Sequence, residues 1–209
     1  MKKGFEVSIY ARNKQKIEDI LKAGAIFCDT IESCVQNKDA VITIVGYPKD
    51  VEEVYFSQDG IINSASQNSY LIDMTTTTPT LSVKIHEVAK NKNLKALDAP
   101  VSGGDIGAKN ATLSIMVGGE QEDFEACKKL FEAMGKTIVY AGNAGSGQHT
   151  KMANQIAIAG VMAGVSEAIA YGKKMGLDIP TMLASISNGA AQSFHLTNNA
   201  PKMYKREFE

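Results

Sequence analysis

The 209-residue sequence contains no tryptophan, only five prolines and three cysteines, and almost no excess of charge. Its formal net charge of -1 excludes the strongly basic surface that binds nucleic acid or an anionic membrane. Residues 1–6 lack the apolar core of a signal peptide, and we expect no apolar run long enough to span a bilayer. These absences predict a cytoplasmic protein without nucleic-acid or membrane partners.

The residues that usually form metal and redox sites are also sparse. The three cysteines are an odd set with no Cys-x-x-Cys spacing, which favours reduced thiols. His86, His149 and His195 are not spaced as metal ligands, so we predict no metal site. No nucleophile elbow is present, which argues against a hydrolase.

Strand-like and helix-like segments alternate at short intervals over the first two thirds of the chain. This alternation predicts an α/β fold with a doubly wound parallel sheet. The continuous β-branched run at 41–45 predicts a strand buried on both faces. The predicted strands are 6–11, 25–27, 41–45, 71–74, 94–97, 113–117 and 137–140, and the predicted helices are 13–22, 31–36, 48–56, 82–90 and 121–134.

The pattern becomes entirely helical after Gly147. Residues 151–175 predict one long helix whose apolar residues go most of the way round, so we expect it to be buried between other helices. A further helix should begin at Pro180 and end near Gly189. We place a domain boundary at about residue 145, between a sheet domain at 1–145 and an all-α domain at 146–209.

A glycine-rich turn at 145–147 runs directly into the long helix. Lys151 is expected in the first turn of that helix, and Asn154 and Gln155 follow at spacings that share its face. Backbone N–H groups at a helix start are free to bind a ligand. A cation and two amides there suit an oxygen-rich small molecule, although a solvated lysine and a packed amide would give the same pattern.

A second glycine-rich segment follows the apolar run at 94–97. Asp98 begins it, and Ser102, Gly103 and Gly104 end it in what we expect to be an open loop. Consecutive glycines allow close approach of a ligand, and loop N–H groups suit an anion. Taken alone, the same residues are also compatible with an ordinary turn after a strand.

Together the two segments resemble the β-hydroxyacid dehydrogenase family, along nearly the whole chain. The family includes 3-hydroxyisobutyrate dehydrogenase, tartronate semialdehyde reductase and the glyoxylate/succinic semialdehyde reductases. Its Gly-x-Gly-x-x-x-Lys motif is matched by Gly145, Gly147 and Lys151. The resemblance implies a Rossmann-type domain followed by an all-α domain, and hydride transfer between NADP(H) or NAD(H) and a small hydroxy acid or carboxylate-bearing aldehyde. The apolar surface of the long helix would pack against the missing helices or a second subunit, which indicates a homo-oligomer (dimer or tetramer).

The resemblance also implies roles for the site residues. Lys151 would exchange the proton of the substrate hydroxyl, and the loop 102–104 would bind the substrate carboxylate. Asn154 or Gln155 would orient the substrate. Many family members have asparagine at the last position of Lys-x-x-x-Asn, whereas this chain has Gln155 there and Asn154 one residue earlier, which is similar to the tartronate semialdehyde reductase group.

Four further residues are implied to contact the dinucleotide. Arg12 follows the first strand, where an acidic residue favours NAD and an arginine accommodates the 2′-phosphate of NADP, so NADP is the expected preference. Val45 and Gly46 end the strand at 41–45 and replace the family's usual Leu-Pro. Thr76 follows the next strand; it could instead cap a helix, although Thr78 could fill that role.

The sequence departs from the family at both ends. The first strand and the Gly-x-Gly-x-x-Gly turn of a Rossmann unit are absent, and the helical domain stops early, so we expect a chain truncated at both ends. The alternatives are a non-catalytic dinucleotide-binding module, an inactive piece, or a relative of 6-phosphogluconate dehydrogenase or of the imine reductases. Non-catalytic modules and imine reductases usually lose the lysine. The 6-phosphogluconate dehydrogenases carry a His-Asn pair after the lysine, which residues 152–155 lack.

Overall fold

The computed structural model describes residues 1–207. The chain divides into two compact units, Met1–Lys151 and Met152–Glu209. The domain boundary proposed near residue 145 stays a prediction, which limited proteolysis would test.

The first unit contains two sheets. The strands are β1 (Ser8–Ile9), β2 (Ile26–Phe27), β3 (Ala40–Thr43), β4 (Tyr70–Asp73), β5 (Lys95–Asp98), β6 (Val101–Ser102), β7 (Leu113–Gly118) and β8 (Gly135–Gly142). Strands β1 and β2 pair in parallel, and the larger sheet has the order β3-β4-β5-β7-β6, with β8 also paired to β7. The pairs β3–β4, β4–β5 and β7–β8 are parallel, whereas β7 runs antiparallel to β5 and β6, so the sheet is mixed rather than fully parallel.

Helices connect these strands, and the predicted Rossmann-type alternation is confirmed. Local chemistry fixes several helix starts: the hydroxyls of Thr30 and Thr78 accept backbone N–H bonds at the starts of α2 and α5, and Pro48 begins α3. A short 3₁₀ turn at Lys14–Ile17 precedes α1. The helices are α1 (Glu18–Lys22), α2 (Ile31–Val35), α3 (Pro48–Phe56), α4 (Ile61–Ser64), α5 (Pro79–Lys90), α6 (Gly104–Lys109) and α7 (Gln121–Glu132).

The core of the first unit lies on both faces of the sheet at β4. Leu71 and Ile72 are fully buried in two different apolar clusters, as expected of successive residues in a strand. The expectation that the 41–45 run is buried on both faces was wrong, because Ile42 is 39% and Ile44 is 68% exposed. Strand β3 forms one edge of its sheet, and its face that carries Ile42 is open to solvent in the part of the chain that the structure describes.

The second unit is helical. Helix α8 (Ser146–Lys174) leads into it, followed by α9 (Ile179–Ile186), a π-helical turn at His195–Asn199 and α10 (Ala200–Lys205). Asp178 caps α9 by accepting the N–H of Thr181. The buried residues of this unit form one apolar cluster: Val165, Ile169, Ile179, Leu183, Leu196 and Ala200.

Helix α8 differs from its predicted form. It begins at Ser146, so Lys151 lies in the second turn rather than the first. It was expected to be buried, but much of its surface is open, including Ile156 at 74% exposure. By length and composition α8 could also cross a membrane, with a mean hydropathy of 1.3, so the expectation that no segment reaches that length was wrong. A single such helix is weak evidence, because core helices meet the same criterion.

The first turn of α8 packs directly on the sheet. A Cβ at Gly147 would lie 2.7 Å from the carbonyl oxygen of Asp98 and even closer to that of Met116. A Cβ at Gly118 of β7 would lie 2.8 Å from the backbone nitrogen of Gly147. The glycines of this motif are therefore needed for close backbone packing between α8 and the sheet.

We predict that Gly147→Ala destabilises the protein by about 1–3 kcal/mol, because the added methyl group must displace backbone rather than a flexible side chain. The matched control is Gly160→Ala in the same helix, where nothing lies within 4 Å of the new Cβ. That control should raise stability by up to about 1 kcal/mol, since alanine is the better helix former. Urea denaturation of both variants measures the difference, and equal effects would contradict the packing argument.

Candidate active site

Three polar residues form a row at the carboxyl ends of the parallel strands. Thr43 of β3 pairs in register with Asp73 of β4, and Asp73 pairs with Asp98 of β5. All three are buried. Ligands of open α/β sheets bind outside these strand ends, so the row marks the edge where a site is expected.

Asp73 is held by the loop that follows it. Its Oδ1 accepts hydrogen bonds from the backbone N–H of Thr75 at 3.0 Å and from the Thr43 hydroxyl at 3.2 Å. Its Oδ2 is buried without a protein partner in the described chain, as is the hydroxyl of Ser82, which lines the same small cavity. Burial, with a smaller contribution from Asp98, raises the pKa of Asp73 to about 6.

Asp98 fixes the start of α8. Its Oδ1 accepts the N–H of Gly145 at 2.7 Å, and its Oδ2 accepts the N–H of Gln148 at 2.9 Å. A carboxylate at a helix N-terminus satisfies N–H groups that have no partner in the helix. The N–H groups that we expected to be free for a ligand are therefore partly occupied. Burial raises the pKa of Asp98 although these hydrogen bonds oppose the shift.

Gln148 joins the same helix turn to the loop after β4. Its side chain is fully buried. Its Oε1 accepts the N–H of Thr77 at 3.0 Å, and its Nε2 donates to the carbonyl oxygen of Thr75 at 2.7 Å. Sequence reasoning missed both Gln148 and the role of Asp98. The only signal was their position inside the two glycine-rich motifs, since partners 47 to 73 residues away in sequence are not visible from local patterns.

Lys151 lies one helical turn after Gln148 and is only 7% exposed. Burial lowers the pKa of its ammonium group, because the charged form is the one that loses hydration. A lysine with a lowered pKa gives up its proton more readily than a fully solvated lysine, which suits Lys151 to proton exchange. The alternative of an ordinary solvated lysine at a helix start does not describe this residue.

Asn154 and Gln155 follow on the same helix, within the second unit. Asn154 is half-buried and Gln155 is exposed. The Nδ2 of Asn154 donates to the Oε1 of Gln155 at 3.1 Å, so the two amides are paired with each other. Either amide could turn to a ligand by exchanging this exposed hydrogen bond.

The proposed carboxylate-binding residues lie just after β5. The open loop expected there is instead a short strand followed by α6, with the backbone of Ser102 pairing with Ser114 of β7. Gly103 and Gly104 are exposed and have φ angles of 127° and 62°, which favour glycine. Gly103 and Gly104 lie only a few residues after Asp98, the residue of β5 that binds the start of α8.

The proposed cofactor residues lie at the ends of β1 and β3. The guanidinium of Arg12 is 3.8 Å from Oδ1 of Asp50 and largely exposed. Asp50 accepts the N–H of Tyr47 at 2.9 Å, and a Cβ at Gly46 would lie 3.1 Å from its Oδ2. The structure therefore brings Arg12 and Gly46 to the same carboxylate.

Val45 and Thr76 lie at the neighbouring strand ends. The N–H of Val45 donates to the Thr75 hydroxyl at 3.0 Å, which joins the end of β3 to the loop after β4. Thr76 is exposed in that loop. The hydroxyl of Thr78 accepts the N–H of Leu81 and caps α5, so Thr76 does not have the capping role.

Comparison with known proteins identifies the class. Residues 1–142 match the family model for the NAD binding domain of 6-phosphogluconate dehydrogenase, which makes this unit a dinucleotide-binding domain. Residues 145–209 match the model described as the NAD-binding of NADP-dependent 3-hydroxyisobutyrate dehydrogenase. The chain belongs to the β-hydroxyacid dehydrogenase family, whose members are NAD(P)-dependent oxidoreductases.

Individual relatives agree with the family models. An uncharacterized oxidoreductase of Bacillus subtilis is 58% identical, over 99% of this chain and 72% of that protein. A probable mitochondrial 3-hydroxyisobutyrate dehydrogenase-like protein of Arabidopsis thaliana is 40% identical, over 100% of this chain and 63% of that protein. The solved 3-hydroxyisobutyrate dehydrogenase of Mycobacterium tuberculosis, titled as carrying L-serine, gives a TM-score of 0.85 at 27% identity, over 95% of this chain and 67% of the other.

The residues present fit part of a dinucleotide. Exposed Gly46 and Thr76 at the ends of β3 and β4 leave the backbone open to a ligand, and exposed Arg12 supplies a cation that lies near the same carboxylate as Gly46. The Gly-x-Gly-x-x-Gly turn that would bind the pyrophosphate does not occur in this sequence. These residues therefore match the adenosine-ribose side and the strand ends of such a site.

We predict that Asp73→Asn changes the pH dependence of stability. The pKa of Asp73 is raised from 3.8 to about 6, so its favourable contribution is complete below about pH 4 and is lost as the pH rises through 6. The amide cannot ionise, so the variant should match wild type near pH 4 and exceed it by up to about 3 kcal/mol above pH 7. Urea denaturation between pH 4 and 8 measures this.

The control for that experiment is Asp59→Asn, which removes the same charge from an exposed position. A stability difference between Asp73→Asn and wild type that stays constant with pH would show that Asp73 does not titrate as described.

Proposed function

We propose that this protein transfers a hydride between NADP(H) and a small hydroxy acid or the corresponding carboxylate-bearing aldehyde. The observation that carries the proposal is Lys151, a buried lysine with a lowered pKa beside the carboxyl ends of the parallel strands. Family membership supports the reaction class. The chain spans between 63% and 72% of the length of the relatives compared above, and the activity is proposed for the whole protein.

Lys151 is the proposed proton-transfer residue. Oxidation of an alcohol releases a proton from the hydroxyl as the hydride leaves, and the nicotinamide supplies the hydride acceptor when it is bound. The neutral amine of Lys151 takes that proton, and the ammonium form returns it in the reduction. The lowered pKa makes the neutral amine more accessible than it is in a solvated lysine.

Five residues are proposed to bind the substrate. Ser102, Gly103 and Gly104 bind its carboxylate through a hydroxyl and backbone N–H groups. Asn154, or Gln155 in its place, orients the reacting hydroxyl toward Lys151. The relatives named as 3-hydroxyisobutyrate dehydrogenases, one of them titled with L-serine, support a short 3-hydroxy acid over a larger substrate.

We also propose a cytoplasmic homo-oligomer. The exposed apolar surface of α8 supports burial against further protein, for which a second subunit is the simplest source. The three cysteines are free thiols, which supports a reducing compartment.

We predict that Lys151→Ala lowers kcat by about 100-fold or more, since positioned proton transfer contributes about 10²–10⁴-fold. The assay follows NADPH oxidation with glyoxylate, succinic semialdehyde and tartronate semialdehyde, and NADP⁺ reduction with 3-hydroxyisobutyrate and L-serine. Lys174→Ala removes an exposed lysine from the other end of the same helix and should leave kcat unchanged.

Two results would contradict the assignment. Turnover that survives in Lys151→Ala would remove the proton-transfer role. Measurable NADPH binding without turnover on any of these substrates would favour the non-catalytic dinucleotide-binding module.

We predict that Arg12→Ala shifts the cofactor preference toward NADH. A charge-assisted hydrogen bond to the 2′-phosphate contributes about 1.5–3 kcal/mol, so the ratio of kcat/KM for NADPH over NADH should fall by about 10-fold to 100-fold. The ion pair with Asp50 costs little to break because it is long, at 3.8 Å, and the Arg12 side chain is 75% exposed. Lys16→Ala, at a nearby exposed cation, is the control, and an unchanged ratio in Arg12→Ala would refute the NADP preference.

A further inference from the structure

We propose that Gln148 is a positioning residue that sets Lys151 against the loop after β4. The inference rests on the proposed role of Lys151 and goes beyond it by naming what holds the lysine in place. Gln148 touches neither a proposed substrate group nor a proposed cofactor residue through its side chain. It contacts the backbone of Thr75 and Thr77, on either side of the proposed cofactor residue Thr76.

The contact is specific to an amide. One end of the side chain accepts the N–H of Thr77 at 3.0 Å, and the other donates to the carbonyl oxygen of Thr75 at 2.7 Å. The amides of asparagine and glutamine carry an acceptor and a donor side by side without any change of protonation, and glutamine has the longer reach. Because the side chain is fully buried, losing either bond would leave a polar backbone group without water.

The same residue is fixed at its backbone. The N–H of Gln148 donates to Oδ2 of Asp98. The other carboxylate oxygen of Asp98, Oδ1, accepts the N–H of Gly145. Gln148 is therefore bound to the end of β5 through its backbone and to the loop after β4 through its side chain. Residues three apart on a helix are neighbours, so this double attachment lies directly beneath Lys151.

The proposed effect of Gln148 is to fix the distance between Lys151 and the loop after β4. The loop after β4 lies where the nicotinamide-bearing ligand is proposed to bind, and Lys151 must meet the reacting hydroxyl there. A shift of about 1 Å between reacting groups can cost about 100-fold in rate. A rigid two-point bond between loop and helix keeps that separation constant.

The test compares three variants of the whole protein. Gln148→Leu removes both side-chain bonds at similar volume, and His149→Leu makes the matched change at the exposed neighbouring position. We expect Gln148→Leu to lower kcat per folded molecule by about 10-fold to 100-fold, with a smaller change in the KM for substrate. His149→Leu should match wild type.

Gln148→Glu provides a pH signature. When protonated, the introduced carboxyl can still accept from Thr77 and donate to Thr75; when ionised, it presents two acceptors and repels the Thr75 carbonyl oxygen. Burial and the carboxylates of Asp98 and Asp73, which bind the N–H groups of Gln148 and Thr75, favour the protonated form. We expect kcat close to wild type at pH 5 to 6 and a loss as the pH rises that wild type does not show.

Two readouts do not depend on turnover. Amide hydrogen exchange of Thr77 should accelerate about 10-fold or more in Gln148→Leu, because its N–H loses its acceptor. The rate at which an amine-reactive reagent labels Lys151 should change in the same variant and stay at the wild-type value in His149→Leu.

The outcomes separate the two proposals. A lower melting temperature with wild-type kcat and wild-type Lys151 labelling would show that Gln148 is only structural and would overturn this inference. Unchanged turnover in Lys151→Ala would overturn the proposed role of Lys151, and absence of turnover in wild type would overturn the proposed function; exchange and labelling would still decide the role of Gln148.

Discussion

The carboxylate of Asp98 is the contact on which the rest of the site depends. It ends β5, and it accepts two backbone N–H groups from the first turn of α8. A buried carboxylate is costly unless hydrogen bonds satisfy it, and a helix start provides N–H groups that lack partners. The carboxylate and the N–H groups therefore each supply the hydrogen-bond partner that the other lacks. The helix that carries Lys151 consequently begins at a position determined by the sheet.

Glycine makes that contact possible. The backbone of α8 approaches the sheet so closely at Gly147 that a side chain there would overlap carbonyl oxygens of β5 and β7. Gly118 is needed on the opposing strand for the same reason. The glycine-rich motif thus has a packing role in the first unit. Its resemblance to ligand-binding glycine loops hides this role at the level of sequence.

The carboxyl edge of the sheet contains more buried polarity than a core normally tolerates. Asp73 and Asp98 are neighbours in register, and each carboxyl is kept in place by backbone N–H groups of the segment that follows or crosses it. Their raised pKa values follow from burial that these bonds only partly offset. Perturbed groups of this kind concentrate at functional sites, which agrees with the placement of Lys151 nearby.

Much of this could be predicted from the sequence. Apolar periods identified the longer strands and helices but missed β6, α4, α6 and α10, and the proline at the start of α3 located that helix, because these signals act within a few residues. The start of α5 at Pro79 lies three residues before the predicted 82–90. Burial was predicted less well: Ile42 and Ile44 of the β-branched run at 41–45 are exposed. A hydrophobic run indicates that its residues tolerate burial, but it does not indicate which other elements will cover them.

The sequence by itself determined the Rossmann-type alternation, the helical second unit and the identity of the lysine. Only the tertiary structure decided that α8 begins at Ser146, that Asp98 receives its N–H groups, and that Gln148 joins it to the loop after β4. The physical reason is the range of the interactions. Caps and periodicity are local, whereas these hydrogen bonds join residues about 50 to 70 positions apart that meet only when the sheet has formed.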